Sequence, residues 1–229
     1  MIRLFVSQNL SEKETIQLSE LQAHYLLHVM RRQIGDSVLL FNGRDGEWSA
    51  TIQLLEKKKN QLILTKQTKP QIINESLILC PALIKKEPMD FVFQKATELG
   101  VSDIYPLITE RTVVSKINSE RTNRLLIEAA EQCERLTIPT LHEPIKLTDL
   151  WHTLPSSAQP ICLAERGQEQ TPKFSEKTPA LCIGPEGGWS PDELDLFSRH
   201  QTSFWHMGNT ILRAETAAIA AIACYRFNH

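Results

Sequence analysis

No cysteine pair in this chain stands at C-x-x-C spacing, and the five cysteines (Cys80, Cys133, Cys162, Cys182 and Cys224) are odd in number. They lie in or near apolar segments, so they are expected as reduced core residues of a cytosolic protein, not as bridges or zinc ligands. The H-E-x-x-H pattern is absent as well. His24 and His28 have the i, i+4 spacing of two metal ligands, but no third ligand follows, which favours a polar helix face or an RNA contact. No stretch approaches the length of a membrane span, and Arg3 with Gln8 and Asn9 interrupts any apolar start, so neither a spanning helix nor a signal peptide is expected. There is no internal repeat and no low-complexity tract. A general basic excess is missing too: 25 Lys+Arg face 27 Asp+Glu, a net charge of −2, which argues against a broadly basic nucleic-acid binder.

The composition is that of an ordinary globular protein, 41% apolar and 23% charged, and 229 residues can bury a real core as one large domain or two small ones. Charge is unevenly spread. Residues 1–70 carry 10 Lys+Arg against 7 Asp+Glu, a net of +3, and residues 71–229 carry 15 against 20, a net of −5. A basic RNA-docking module beside an acidic catalytic body would look like this, and so would a chance asymmetry of a few charges.

Periodicity supports two domains. Residues 2–7, 37–41, 48–55 and 61–65 read as strands, Ser19 can cap a helix to about residue 31, and Gly35-Asp36 and residues 42–46 mark turns. Lys57, Lys58 and Lys59 read as a solvated turn. This makes a small β-rich barrel over residues 1–70. Lys69-Pro70 and Asn74 mark a linker. In residues 74–229, strands at 77–83, 104–108 and 160–164 alternate with helices at 88–99 and 118–133, which predicts a mostly parallel α/β sheet.

Two segments near the C-terminus hold the candidate site. In residues 180–194 an apolar run ends at Gly184-Pro185-Glu186-Gly187-Gly188-Trp189. Then Ser190, Pro191 and Glu193 form a capping box that starts a helix. In residues 204–218 a short strand meets Gly208, and Arg213 and Glu215 stand at the mouth of an alanine-rich helix. Its composition calls for burial in a core or an oligomer interface. Each segment alone could be a tight turn. Two within thirty residues could wall one small-molecule pocket, and a β-carbon at Gly184 or Gly208 is expected to intrude on it. The first loop lacks the Lys-Ser/Thr of a phosphate-binding Walker motif, and neither loop contains histidine. Trp151, Trp189 and Trp205 are read as packing residues.

Residues 184–190 with Gly208-Asn209-Thr210-Ile211-Leu212-Arg213-Ala214-Glu215-Thr216-Ala217 resemble the signature of the ribosomal small-subunit methyltransferase E family. That family falls in the SPOUT class of S-adenosylmethionine-dependent RNA methyltransferases. Matching blocks run along the chain in order: His24-Tyr25-Leu26 to Arg31, Gly35-Asp36, Phe41-Asn42-Gly43, residues 94–101, Ile104 to Arg111, and Glu128 to Gln132 with Arg135. Thr210 departs from the family, where arginine is common, and so does Glu134, where glycine is common. The resemblance implies a SPOUT-type parallel sheet with a trefoil knot after a PUA-like β-barrel. It also implies a cytoplasmic homodimer that methylates uracil N3 in 16S rRNA, within the small ribosomal subunit, with no membrane and no metal.

It assigns S-adenosyl-L-methionine to Leu163, Ala164, Ile183, Gly184, Glu186, Gly188, Met207, Gly208, Asn209, Ile211, Leu212 and Ala217. Arg213 is the candidate for stabilising charge on the uracil carbonyls, or else an ion-pair partner of Glu215 or Glu186. Glu186 and Glu98 are the candidate bases. Arg3, Arg31, Arg32, Arg44, Lys85, Lys86 and Arg111 are the candidate RNA contacts. A non-catalytic RNA-binding protein and a nucleotide-binding enzyme are the competing classes, and calorimetry with S-adenosylmethionine, S-adenosylhomocysteine and ATP separates all three. If Arg31, Arg32 and Arg44 meet phosphates, changing all three to Ala weakens RNA binding. The log–log salt slope then becomes shallower by about 0.7 per lost contact on single-stranded RNA. Filter binding across a salt series checks this, and unchanged affinity at low salt would remove these residues from the interface.

Overall fold

The computed structural model describes residues 1–72, 75–165, 174 and 177–228, and its contacts divide the chain into two units. The linker mark at Asn74 lies outside the described residues. The first unit comprises residues 1–73 and 130–138. Its elements are β1 (Arg3–Phe5), β2 (Thr15–Ile16), α1 (Glu20–His24), β3 (Ser37–Phe41), β4 (Glu47–Leu55) and β5 (Asn60–Lys69). The sheet order is β1-β3-β4-β5-β2, with β1 parallel to β3 and the other pairs antiparallel. Alternate residues Val38 and Leu40, Ala50 and Ile52, and Leu62 and Leu64 are fully buried, the period of two that a half-covered strand requires. Leu4 from one edge strand and Ile16 from the other enter the same core, so the sheet curls around it. Among the described residues no ladder joins β1 to β2, and the expected barrel is in this sense open.

Ser19 caps α1 as expected, with Gln22 completing a capping box. The helix then widens into a π-turn over Tyr25–Val29, which brings the rings of His24 and His28 to 4.6 Å.

The first unit is not the continuous 1–70 stretch read from the sequence, because residues 130–138 complete it. Arg3 supplies the reason, and it also corrects the expectation that Arg3 meets RNA. Arg3 is only 6% exposed. Its Nε donates to the buried Glu47 carboxylate at 2.6 Å, and its other nitrogens donate to the carbonyls of Ala130 (3.1 Å), Glu131 (3.4 Å) and Arg135 (3.3 Å). The end of helix Ser119–Gln132 leaves carbonyls without helical partners, and this guanidinium satisfies them. Ala130 and Leu136 pack with Phe41 in a small satellite core. Glu134 adopts φ +60, the left-handed region that glycine enters freely, which accounts for glycine being common there in the family it resembles. Here its carboxylate holds Lys69 Nζ at 2.8 Å.

The second unit continues with β6 (Ile78–Pro81), α2 (Lys86–Glu98), β7 (Asp103–Ile104), β8 (Leu107–Ile108) and α3 (Ser119–Gln132). After them come β9 (Thr140–Leu141), β10 (Ile145–Lys146), α4 (Leu150–Thr153), β11 (Ala158–Leu163), β12 (Thr178–Ile183), α5 (Pro191–Arg199), β13 (Ser203–Trp205) and α6 (Ala214–Asn228). A six-stranded, wholly parallel sheet runs β13-β11-β12-β6-β7-β9. The strand expected at 104–108 is split at Tyr105-Pro106, where proline has no N–H for the ladder. Beyond it β8 leaves the main sheet and pairs with β10. Cys162, Cys182 and Cys80 are register partners across three adjacent strands, and all three are buried. Burial pushes the thiols of Cys80 and Cys162 well above the usual range, which keeps them unreactive. Cys133 and Cys224 are exposed, so the reading of all five as core residues holds for three.

On α2, Met89, Val92, Phe93, Ala96 and Thr97 form one buried stripe at helical spacing. Helix α6 packs on α2 and β12 through its buried residues, including Ala214, Ala218 and Ala221. It is not enclosed all round, since Thr216, Cys224 and Phe227 are exposed. Arg226 near its end donates to the carbonyls of Leu99 (3.2 Å), Gly100 and Glu75 (3.1 Å), which closes the end of α2.

Asp45 organises the turn between β3 and β4, accepting from Leu10 N at 2.9 Å and Asn42 Nδ2 at 2.6 Å. The Leu10 amide, then the Asn42 amide, hold its carboxyl below the usual range. A depressed carboxyl contributes stability above its unfolded value near 3.9, and that contribution is lost as pH falls through the folded value. Asp45→Asn is therefore less stable than the parent by a constant margin above about pH 5, and the margin shrinks below about pH 4. Urea midpoints across that range measure it, and a margin independent of pH would remove Asp45 from the acid response.

Candidate functional site

The carboxyl ends of β11, β12 and β13 lie side by side, and the chain leaving each wraps one cleft of about 190 Å³. Open α/β sheets bind ligands at this end of their strands. From β11 come Leu163, Ala164 and Glu165. Ile183, Gly184, Pro185, Glu186, Gly188 and Trp189 follow from β12. Trp205, Met207, Gly208, Thr210, Ile211, Leu212, Arg213, Ala214 and Ala217 follow from β13 and the first turns of α6.

The framework is tightly bonded. Gly188 N donates to Pro185 O at 2.8 Å, closing a turn in which Gly188 takes φ +66. Trp189 Nε1 donates to Leu163 O at 2.8 Å, tying this loop to the end of β11. Ala164 N donates to Trp205 O at 3.1 Å, and His206 Nδ1 lies 2.9 Å from Ala164 O. The capping box on α5 forms as read from the sequence, with Ser190 Oγ accepting from Glu193 N and the Glu193 carboxylate accepting from Ser190 N. The other oxygen of that carboxylate accepts from Glu110 N at 2.8 Å. Next to it, Arg111 donates to Gly187 O at 2.6 Å.

The two glycines singled out differ. A β-carbon at Gly184 would sit 3.2 Å from the Trp189 ring. At Gly208, which lines the cleft, it would meet no protein atom within 4 Å, and the backbone constraint there is φ +91.

Eleven of the twelve cofactor candidates line the cleft; Asn209 is exposed and is not part of the lining. Of the three catalytic candidates, Arg213 and Glu186 line it together. Glu98 does not: it ends α2 with its carboxylate on Lys95 Nζ at 2.7 Å. No ion pair joins Arg213 to Glu186 or Glu215 among the described residues. Arg213 O accepts from Ala217 N at 2.8 Å, so its backbone starts α6. With threonine at 210, Arg213 is the lone guanidinium in the described lining.

Among the RNA candidates, Arg31 is exposed with φ +50, Arg32 lies 3.8 Å from Asp36, and Arg44 is exposed while donating to Ser7 O at 3.1 Å. Lys85 and Lys86 are exposed at the start of α2. Sequence reasoning missed Glu165, Trp189 and Trp205 as wall residues. The rule that sites gather at strand ends could have found Glu165, since it follows a predicted strand. Trp189 and Trp205 serve packing, being buried, and also form part of the wall. Among the described residues no group of three or more His, Cys, Asp or Glu side chains could hold a metal ion.

Comparison with known proteins fits this geometry. An RNA methyltransferase domain family matches residues 73–226, and an RNA methyltransferase PUA domain family matches residues 18–65. A ribosomal RNA small subunit methyltransferase E from Rickettsia conorii is 34% identical, covering 98% of this chain and 94% of the relative. The chain belongs to the ribosomal RNA small subunit methyltransferase E family. A family member from Synechocystis is 31% identical over 96% of this chain and 76% of its own length. Two solved structures share the fold over nearly the whole chain. One, from Legionella pneumophila, has a TM-score of 0.88 at 31% identity, covers 99% of this chain and 97% of its own, and is described as a methyltransferase with bound cofactor S-adenosylmethionine. The other is a family member from Neisseria gonorrhoeae bound to S-adenosylmethionine, with a TM-score of 0.85 at 28% identity, covering 100% of this chain and 98% of its own. The loops that line the cleft are the segments whose residues carry the family signature.

Gly184→Val drives its side chain into the Trp189 ring and destabilises the protein by about 1–3 kcal/mol. Gly208→Asn costs less than about 1 kcal/mol, since asparagine tolerates positive φ and the space is open. Urea unfolding of the two variants measures this, and equal costs would contradict the different roles of the two glycines.

Proposed function

We propose that the protein transfers a methyl group from S-adenosylmethionine to N3 of a uracil in 16S rRNA. The observation that carries the proposal is the cleft itself, two glycine loops at parallel strand ends with a guanidinium in the lining that no described carboxylate engages. The residues fit the donor. Leu163, Ile183, Leu212 and the two indoles give apolar walls. Gly184 and Gly188 leave the backbone bare, and two carboxylates suit a cation. Leu163, Ala164, Ile183, Gly184, Glu186, Gly188, Met207, Gly208, Ile211, Leu212 and Ala217 would hold it. When bound, S-adenosylmethionine supplies an electrophilic methyl on a good leaving group, which leaves mainly positioning to the protein.

Uracil N3 must lose a proton to become nucleophilic, and negative charge then spreads onto the flanking carbonyl oxygens. Arg213, free of any described carboxylate partner, stabilises that charge. Glu186 is the proton acceptor; Glu98 is occupied by Lys95 and lies outside the cleft lining. Arg31, Arg32 and Arg44 hold RNA through the PUA unit, and Lys85, Lys86 and Arg111 do so beside the catalytic sheet. The family reading adds a trefoil knot in the sheet, a cytoplasmic setting and the assembled small subunit as substrate. It also adds a homodimer, supported by the exposed side of α6 with Phe227 83% exposed. No helix among the described residues is long and apolar enough to cross a membrane.

Arg213→Ala lowers kcat by about a hundredfold to a thousandfold with donor affinity kept, and Arg213→Lys recovers only part because it lacks the planar fork. Methyl incorporation into small subunits together with calorimetry tests this. Parallel loss of affinity, thermal stability and activity would make Arg213 a brace of the loop instead.

A further inference from the structure

We infer that Glu165 reads the charge of the methyl donor, so that the cleft prefers the sulfonium compound to its demethylated thioether product. The inference rests on the donor proposed above. The described lining contains three charged side chains, Glu165, Glu186 and Arg213, a net charge of −1. Glu165 lies two residues beyond β11, and its carboxylate lies over Gly188: a β-carbon there would stand 2.9 Å from Oε1 and 3.5 Å from Oε2. Gly188 is fixed in place by its bond to Pro185 O and by φ +66, so this carboxylate rests against a bare stretch of backbone. A side chain at 188 would push it away.

Glu165 makes no ion pair or hydrogen bond among the described residues, whereas Arg111 beside the same loop is engaged by Gly187 O. Glu165 is exposed at the cleft and has no partner among the described residues, so a cation entering the cleft meets an uncompensated negative charge. Donor and product share the adenosine and the amino-acid groups. They differ by the methyl and by one positive charge at sulfur. Attraction from Glu165 to that charge acts on the donor alone, so it favours replacement of spent product by fresh donor without any change in shape.

Calorimetry of the full-length protein and of Glu165→Gln, with S-adenosylmethionine and S-adenosylhomocysteine at low and high salt, tests this. The amide keeps the shape and removes the charge. Donor affinity is expected to fall about tenfold, with product affinity unchanged within about twofold. The preference for donor in the parent protein is expected to weaken with salt, and the variant's is not. Equal loss for both ligands, no loss for either, or a selective loss in Glu186→Gln instead would overturn the inference. If the parent binds neither compound, the donor assignment itself has failed.

Discussion

The ligand-facing half of the catalytic sheet depends on one buried carboxylate, that of Glu193. One oxygen accepts the Ser190 amide and closes the start of α5; the other accepts the Glu110 amide from the loop after β8. Because Arg111 follows Glu110, the same anchor delivers a guanidinium to Gly187 O. The glycine turn is thus gripped at 187 from outside, at Trp189 by the end of β11, and at Ser190 by the helix it precedes. A charged acceptor with two amide donors makes stronger bonds than a neutral one, and a residue 8% exposed is shielded from water competition. A loop whose backbone must face a ligand closely cannot be held by its own side chains there, so its order is imposed from neighbouring elements.

The cleft divides into groups with two kinds of work. Glu193, Trp189, Arg111 and His206 have partners and fix the walls. Arg213, Glu165 and Glu186 line the cleft and have none among the described residues. In the proposed roles, this division keeps Arg213 and Glu186 from spending their interactions on the protein before substrate arrives.

Much of this was legible in the sequence because local chemistry decided it. Ser190, Pro191 and Glu193 announce a helix start through capping alone, and Ser19 marks another. Alternating burial in β3 to β5 follows from strand period. What failed depended on contacts distant in sequence. Arg3 reads as a surface cation until residues 130–135 arrive with their carbonyls. Glu98 is the local exception: its carboxylate reads as available, but Lys95, one turn back, holds it. The second oxygen of Glu193 serves Glu110, 83 residues away, and no spacing rule reports that. The break at Tyr105-Pro106 is legible in principle, since proline brings no N–H to a strand ladder.

The return of residues 130–138 to the first unit means that the polypeptide passes between the two units three times. A single cut near residue 73 therefore does not release two self-sufficient pieces. The C-terminal fragment would contain helix Ser119–Gln132 without Arg3 to cap it, and Leu136 without Phe41 to cover it. The N-terminal fragment would leave the guanidinium of Arg3 facing no carbonyls beyond the helix end. Gene-level shuffling of the small basic module onto another catalytic body would need the helix end to travel with it. The two units are modular in their contacts and inseparable in their connectivity.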